Sequence, residues 1–129
     1  MKLLSEQTDE ASLLRFGQEA VSLLEKRDFQ SLADRFGYAL KVGRSPVAAI
    51  EGDFQSCLAE FHALSKQVTA VLPSMVVKYF KPNSGSLFAV VECVFTTEEG
   101  CPIMAELIVS SSGEDKHIIL EEVSLAKAS

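Results

Sequence analysis

Glu121 and Glu122, adjacent near the end of the chain, and the two tyrosines Tyr38 and Tyr79 are the residues whose types could do chemistry together. A carboxyl held beneath a hydrophobic layer without a partner has its pKa raised and can act as a general acid or base. A tyrosine hydroxyl beside it can donate to a developing oxyanion. That pairing would suit acid/base chemistry on a small molecule, with Glu121 as the catalytic acid or base. The structural alternative is a glutamate reaching the open end of a sheet, or paired with Arg44 or Lys41, and tyrosines that belong to a core or its rim. Glu92 and Glu106 are a second candidate carboxylate pair for acid/base work. The alternative for these two is solvated or interface glutamates. Cys57 and His62 lie five residues apart, which puts them on different sides of a helix and unsuits them to nucleophilic catalysis.

The elements that must position these residues come in two groups, because the apolar period changes near residue 66. Before it, apolar residues recur at helical spacing; after it, they alternate as in strands. Residues 6 to 27 read as a first helix with Leu13, Phe16 or Gly17, Ala20, Val21 and Leu24 on its buried stripe, capped by Ser5 or Thr8. Asp28 is the N-cap of a short second helix through Phe36, with Phe29, Leu32, Ala33 and Phe36 on its apolar face and Gly37 closing it. Tyr38–Val42 alternates like a brief edge strand. Ser45-Pro46 is a helix start, with Ser as cap and Pro at the first helical position. The third helix runs to about Ser65 on a stripe of Val47, Ile50, Phe54, Cys57, Leu58, Phe61 and Leu64. Strands follow at 68–80, whole or with a break at Pro73-Ser74, then at 87–97, 102–110 and 117–126, with a turn at 82–85. Helices followed by antiparallel strands make one α+β domain over residues 1–129, a helical layer on a bent sheet of about four strands.

Turn chemistry sets the register. The loop Glu98-Glu99-Gly100 suits a three-residue hairpin with Gly in the left-handed position, which pairs Thr97 with Cys101 and sets Glu92 opposite Glu106. One face then carries Leu87, Ala89, Val91, Cys93 and Phe95 beside Ile103, Ala105, Leu107 and Val109, all apolar, and belongs under the helices. The other carries Phe88, Val90, Glu92, Val94 and Thr96 beside Met104, Glu106 and Ile108. It is too apolar for a face given over to water. The expectation is a homodimer interface made of Phe88, Val90, Glu92, Met104, Glu106 and Ile108. On the last strand, pairing Val109 with His117 turns Ile119, Glu121, Val123 and Leu125 inward, and a slip of one residue turns Glu122 inward instead.

Composition removes several function classes. The chain has 129 residues, is 47% hydrophobic and 23% charged, and carries a net charge of −6. Both halves are acidic, so neither has the basic footprint of a nucleic-acid binder. The apolar runs are far short of the ~20 residues that span a bilayer. The opening Met1-Lys2-Leu3-Leu4 passes at once into polar residues, without the apolar stretch of a signal peptide, and a cytoplasmic location is expected. The three cysteines, Cys57, Cys93 and Cys101, show no CxxC spacing and read as free thiols of a reducing compartment. With two distant histidines, neither a metal nor a cofactor is expected.

The stretch Leu24-Glu25-Lys26-Arg27-Asp28-Phe29-Gln30-Ser31-Leu32-Ala33-Asp34-Arg35-Phe36 resembles the turn from first to second helix of the nuclear transport factor two-like (cystatin-like) superfamily. Gly43-Arg44-Ser45-Pro46-Val47-Ala48-Ala49-Ile50 is similar to its third-helix start. The resemblance implies an α+β cone with a pocket between helices and sheet, lined here by Phe36, Tyr38, Phe54, Phe61 and Tyr79, and often a dimer through the sheets. The family holds isomerases, dehydratases and cyclases as well as plain binding modules. Its enzymes' Asp/Tyr and His/Asp sets do not carry over: the segment around Tyr38 lacks the acid, and the inner strand face is wholly apolar. The expected function is therefore non-catalytic, a homodimer that binds a small apolar ligand or a protein partner, with the isomerase or dehydratase as the alternative. Lys26, Arg27, Arg35, Lys41 and Arg44 form a locally positive stretch that could attract an anion.

Overall fold

The computed structural model describes residues 1–64, 71–82 and 85–126. Three helices, α1 (Glu10–Glu25), α2 (Phe29–Phe36) and α3 (Pro46–Ala63), precede most of an open antiparallel sheet. The strands are β1 (Lys2–Leu3), β2 (Ser74–Tyr79), β3 (Leu87–Thr96), β4 (Pro102–Ser112) and β5 (Asp115–Leu125), in the order β1-β5-β4-β3-β2. The fold is α+β as the change of period requires, with five strands among the described residues rather than about four. The extra strand is β1, whose two residues are too short for a pattern to reveal. The end of the third helix and the start of the strand expected from residue 68 lie partly outside the described residues, as do two residues of the 82–85 turn.

Local chemistry explains where the helices begin. The Asp28 carboxylate accepts the Ser31 N–H at 3.1 Å, and the Ser45 hydroxyl accepts the Ala48 N–H at 3.2 Å. Each satisfies a donor that the first helical turn leaves open. The first helix starts later than its apolar pattern suggests. Ser5–Gln7 form a turn of 3₁₀ helix, in which the Gln7 side chain accepts the Leu4 N–H at 2.8 Å, and Asp9 then becomes the N-cap. Tyr38–Val42 is a loop, not an edge strand: Val42 is 81% exposed, and the one backbone bond to the sheet among the described residues runs from the Ala39 N–H to the Leu120 carbonyl at 2.9 Å.

All three helices lie on one face of the sheet, α1 over β2 and β3, α3 over β5, and α2 against α1 and α3. One hydrophobic core sits between the layers. It joins Leu13, Phe16, Leu24, Leu32, Phe36, Ile50 and Phe54 to Val91, Cys93, Phe95, Ile103, Leu107, Val109, Ile118 and Leu120. At Gly17, α1 comes so close to the sheet that a Cβ would stand 2.8 Å from the Met75 sulfur and 3.1 Å from Val91 Cγ1. The missing side chain sets how tightly helix and sheet approach. Among the described residues, no helix is long and apolar enough to cross a membrane.

Candidate functional site

The polar site of the helix side is built on Tyr38. Its ring is 2% exposed, and its hydroxyl donates to Asp53 Oδ2 at 2.6 Å while accepting the Val123 N–H at 3.1 Å. Burial and the Asp53 carboxylate push the phenol's pKa well above its ordinary value. Arg44 holds the other side: its guanidinium lies 3.4 Å from Asp53 Oδ1 and donates to the Leu40 and Lys41 carbonyls at 2.8 and 3.2 Å. Tyr38 thus joins α3, the 37–45 loop and β5, and both hydrogen-bonding functions of its hydroxyl are committed. Asp53 is the acid that sequence reasoning missed. The signal was present: Ile50, Asp53 and Cys57 follow the i, i+3, i+7 spacing of the buried stripe, and an acid at such a position must find a partner.

Glu121 is not beneath the helices. β4 and β5 pair Glu106 with Glu122 and then Leu107 with Leu120, so Glu121 is the extra residue of a β-bulge. Ile118, Leu120 and Val123 are the buried residues of β5 on the helix side. The expected pairing of Val109 with His117 is replaced by Val109 with Ile118. Glu122 joins the other face, opposite Glu106. The alternative in which Arg44 meets this acid also gives way, since Arg44 is taken by Asp53.

The side chains expected to line a cone-shaped pocket separate. Phe36, Tyr38 and Phe54 are at most 2% exposed and pack within the core, with Phe36 edge-on to Phe16 at 6.5 Å and Phe54 tilted on Phe29 at 5.4 Å. Phe61 is half-buried at the end of α3 and His62 is exposed. Tyr79 is far from Tyr38 in role: it stands 47% exposed on β2, and its hydroxyl donates to the Thr8 carbonyl ahead of α1 at 2.8 Å. A cleft of about 480 Å3 opens beside Phe54, between the end of α1 and the β3–β4 hairpin, lined by Lys26, Arg27, Thr97 and Glu99 among others. Arg27 stacks over Phe54 at 5.2 Å and is ion-paired with Glu99. Arg35 pairs with Glu19 at 2.9 Å. Much of the positive stretch is therefore already neutralised within the chain.

Cys57, Cys93 and Cys101 are free and buried, and burial pushes their thiols up to about 12, 12 and 11. A thiol so far above neutral pH is a poor nucleophile. The buried Cys57 and the exposed His62 form no pair.

The outer face of the sheet carries the other concentration of charge. β3 pairs with β4 as the hairpin loop requires, Thr97 N–H bonding the Cys101 carbonyl at 2.9 Å and Gly100 adopting φ +86°. Glu92, Glu106 and Glu122 fall in one row across β3, β4 and β5. Lys78 on β2 reaches Glu92 at 2.8 Å. Burial, then Glu122, Glu92 and Glu121, raises the pKa of Glu106, and Lys78 offsets this in part. Rows of apolar residues flank the carboxylates: Val94 and Met104 on one side, Val90, Ile108 and Ile119 on the other. Phe88 leaves this face. A bulge between Leu87 and Ala89 makes it the extra residue, and its ring meets Tyr79 at 5.5 Å and the Lys116 ammonium at 4.6 Å. Among the described residues, no group of three or more His, Cys, Asp or Glu side chains has the geometry to hold a metal ion.

Comparison with known proteins finds no matching family, no matching curated protein and no matching solved structure.

Proposed function

We propose that this chain is a non-catalytic protein-binding domain that works through the outer face of its sheet. The observation that carries this reading is that face itself: Val90, Val94, Met104, Ile108 and Ile119 surround a row of carboxylates on the side opposite all three helices. A side of a sheet meant only for water is more polar. The committed hydroxyl of Tyr38, the bulge at Glu121 and the high thiol pKa values favour a non-catalytic role over an isomerase or dehydratase. Three buried free thiols agree with a reducing, cytoplasmic setting. Membership of the nuclear transport factor two-like superfamily is part of the same proposal, supported by the order of elements and by Asp28 as the cap that opens α2.

A second reading, a homodimer through this face, draws on the same apolar rows. Site-specific photo-crosslinking tests both. A benzophenone residue at Ile108 should give an adduct with another protein chain, identified by mass spectrometry, and one at Gln30 on α2 should not. An adduct of twice the chain's mass would establish the homodimer. Equal labelling from both positions, or none from Ile108, would overturn the reading of the face.

A further inference from the structure

Resting on the reading of the outer face as a binding surface, we infer that its partner is a basic amphipathic helix of another protein, with cations that meet the Glu92–Glu106–Glu122 row and apolar residues that meet the rows beside it. Charge and spacing together point to such a partner. The row holds three carboxylates, in register on adjacent strands, against one ammonium among the described residues, that of Lys78. Like charges directly opposite one another are unfavourable, and covering them with an apolar surface removes the water that screens them. Burial first, and then the neighbouring carboxylates, already make Glu106 hold its proton more tightly than an ordinary glutamate does. A second copy placed on this face would bring the same row of acids against it. A cationic partner would supply the missing charge.

The spacing fits a helix. Neighbouring strands lie about 4.8 Å apart, so Glu92 and Glu122, two strands apart, stand about 10 Å from each other. A helix rises about 1.5 Å per residue, and positions i and i+7 share one side at about 10.5 Å, with i+3 or i+4 between them. A helix laid across the strands with Arg or Lys at i, i+4 and i+7 meets one carboxylate per cation. Two residues along β3 and β4, about 7 Å to either side, Val94 and Met104 or Ile108 meet its flanking apolar residues, and Ile119, three residues along the bulged β5, stands beside Ile108. An anionic membrane or a nucleic acid offers the wrong sign of charge.

The test uses a fluorescent 18-residue helical peptide with Arg at i, i+4 and i+7 flanked by leucines, its Glu-for-Arg analogue, and the full chain, read by anisotropy. The Arg peptide should bind and the Glu peptide should not. The triple variant Glu92→Gln, Glu106→Gln, Glu122→Gln should weaken binding at least tenfold. A charge-matched control, Glu10→Gln, Glu25→Gln, Glu51→Gln on the exposed helix surface, should leave binding within twofold. The inference is overturned if the Arg peptide fails to bind, or if both triple variants weaken it alike, which would mark general attraction to an acidic chain. Light scattering separates this from the parent reading. A dimer whose mass halves with Ile108→Arg would keep the face as an interface and assign it to a second copy, overturning the basic partner alone. Failure of the peptide together with absence of crosslinking at Ile108 would overturn both.

Discussion

Leu107 and Ile108 are neighbours on β4, yet they belong to two different environments. Leu107 is fully buried between the sheet and the helices, in the company of Val91 and Leu120. Ile108 is half-buried on the other side, between Val90 and Ile119, one step along the strand from Glu106. The inner face is uniform, and its polar groups appear at the margin, where Tyr38 and Asp53 satisfy each other. The outer face mixes apolar rows with carboxylates that compete for one lysine. The difference separates two tasks for one set of strands: the inner face supplies the stability of the fold, and the outer face retains groups that stability alone would not select.

The comparison breaks if the two faces respond alike to truncation. Leu107→Ala should cost about 2–5 kcal/mol, because the packed layer closes only partly around the void. Ile108→Ala should cost less, roughly 1 kcal/mol, since part of its surface is already in contact with water. Urea denaturation with equal slopes checks both, and equal losses would mean that the outer face is packed like a core. The margin of the inner face is tested next. Tyr38→Phe leaves the Val123 N–H and one Asp53 oxygen without their partner, at about 1–3 kcal/mol. A neutral result by thermal denaturation would reduce the hydroxyl to a bystander.

The outer face should answer with the opposite sign. A raised pKa means that folded Glu106 holds its proton more tightly than the unfolded chain does, so its charge opposes folding above the folded pKa, and the penalty fades as pH falls toward the unfolded value. Glu106→Gln should therefore stabilise the chain at pH 7 by roughly 0.5 kcal/mol, the scale of a partly exposed like-charge contact. The gain should vanish near pH 3.5, where the carboxyl is protonated in both states. Destabilisation at pH 7 would mean that Glu106 has a favourable partner. The smallest effect belongs to Lys78→Gln, below about 0.5 kcal/mol in stability for an exposed ion pair. Its signature is the Glu106 carboxyl titration followed by NMR, which should move to higher pH once the ammonium is gone.

The starts of α2 and α3 and one strand register were legible because local chemistry fixes them. Asp28 and Ser45-Pro46 are caps, and the Glu98-Glu99-Gly100 loop can close only with a left-handed glycine, which fixes Glu92 opposite Glu106. The β5 register was not legible by alternation, because a bulge inserts a residue and reverses inward and outward beyond it. The apolar positions do carry the mark: Ile118 and Leu120 are spaced by two, Leu120 and Val123 by three, and that three is the bulge. The same kind of irregularity moved Phe88 from the outer face to the ring of Tyr79. Tyr38 was legible as a residue of interest and its role was not, because Asp53 approaches it from α3 and sequence distance hides that meeting.

The way β5 is bordered has a consequence for self-association. The Ile118 N–H bonds to the Met1 carbonyl, the Leu120 carbonyl takes the Ala39 N–H, and the Val123 N–H is taken by Tyr38. Three backbone groups on that flank are thereby occupied. At the opposite flank, β2 runs with Val76 and Tyr79 exposed, between Leu72 and Phe80, which are exposed as well. Chains that polymerise strand to strand need two open flanks on every unit. Each backbone group taken on the β5 flank is one fewer for an incoming strand, so the hydrogen bonds around Tyr38 also guard that border against strand-to-strand growth.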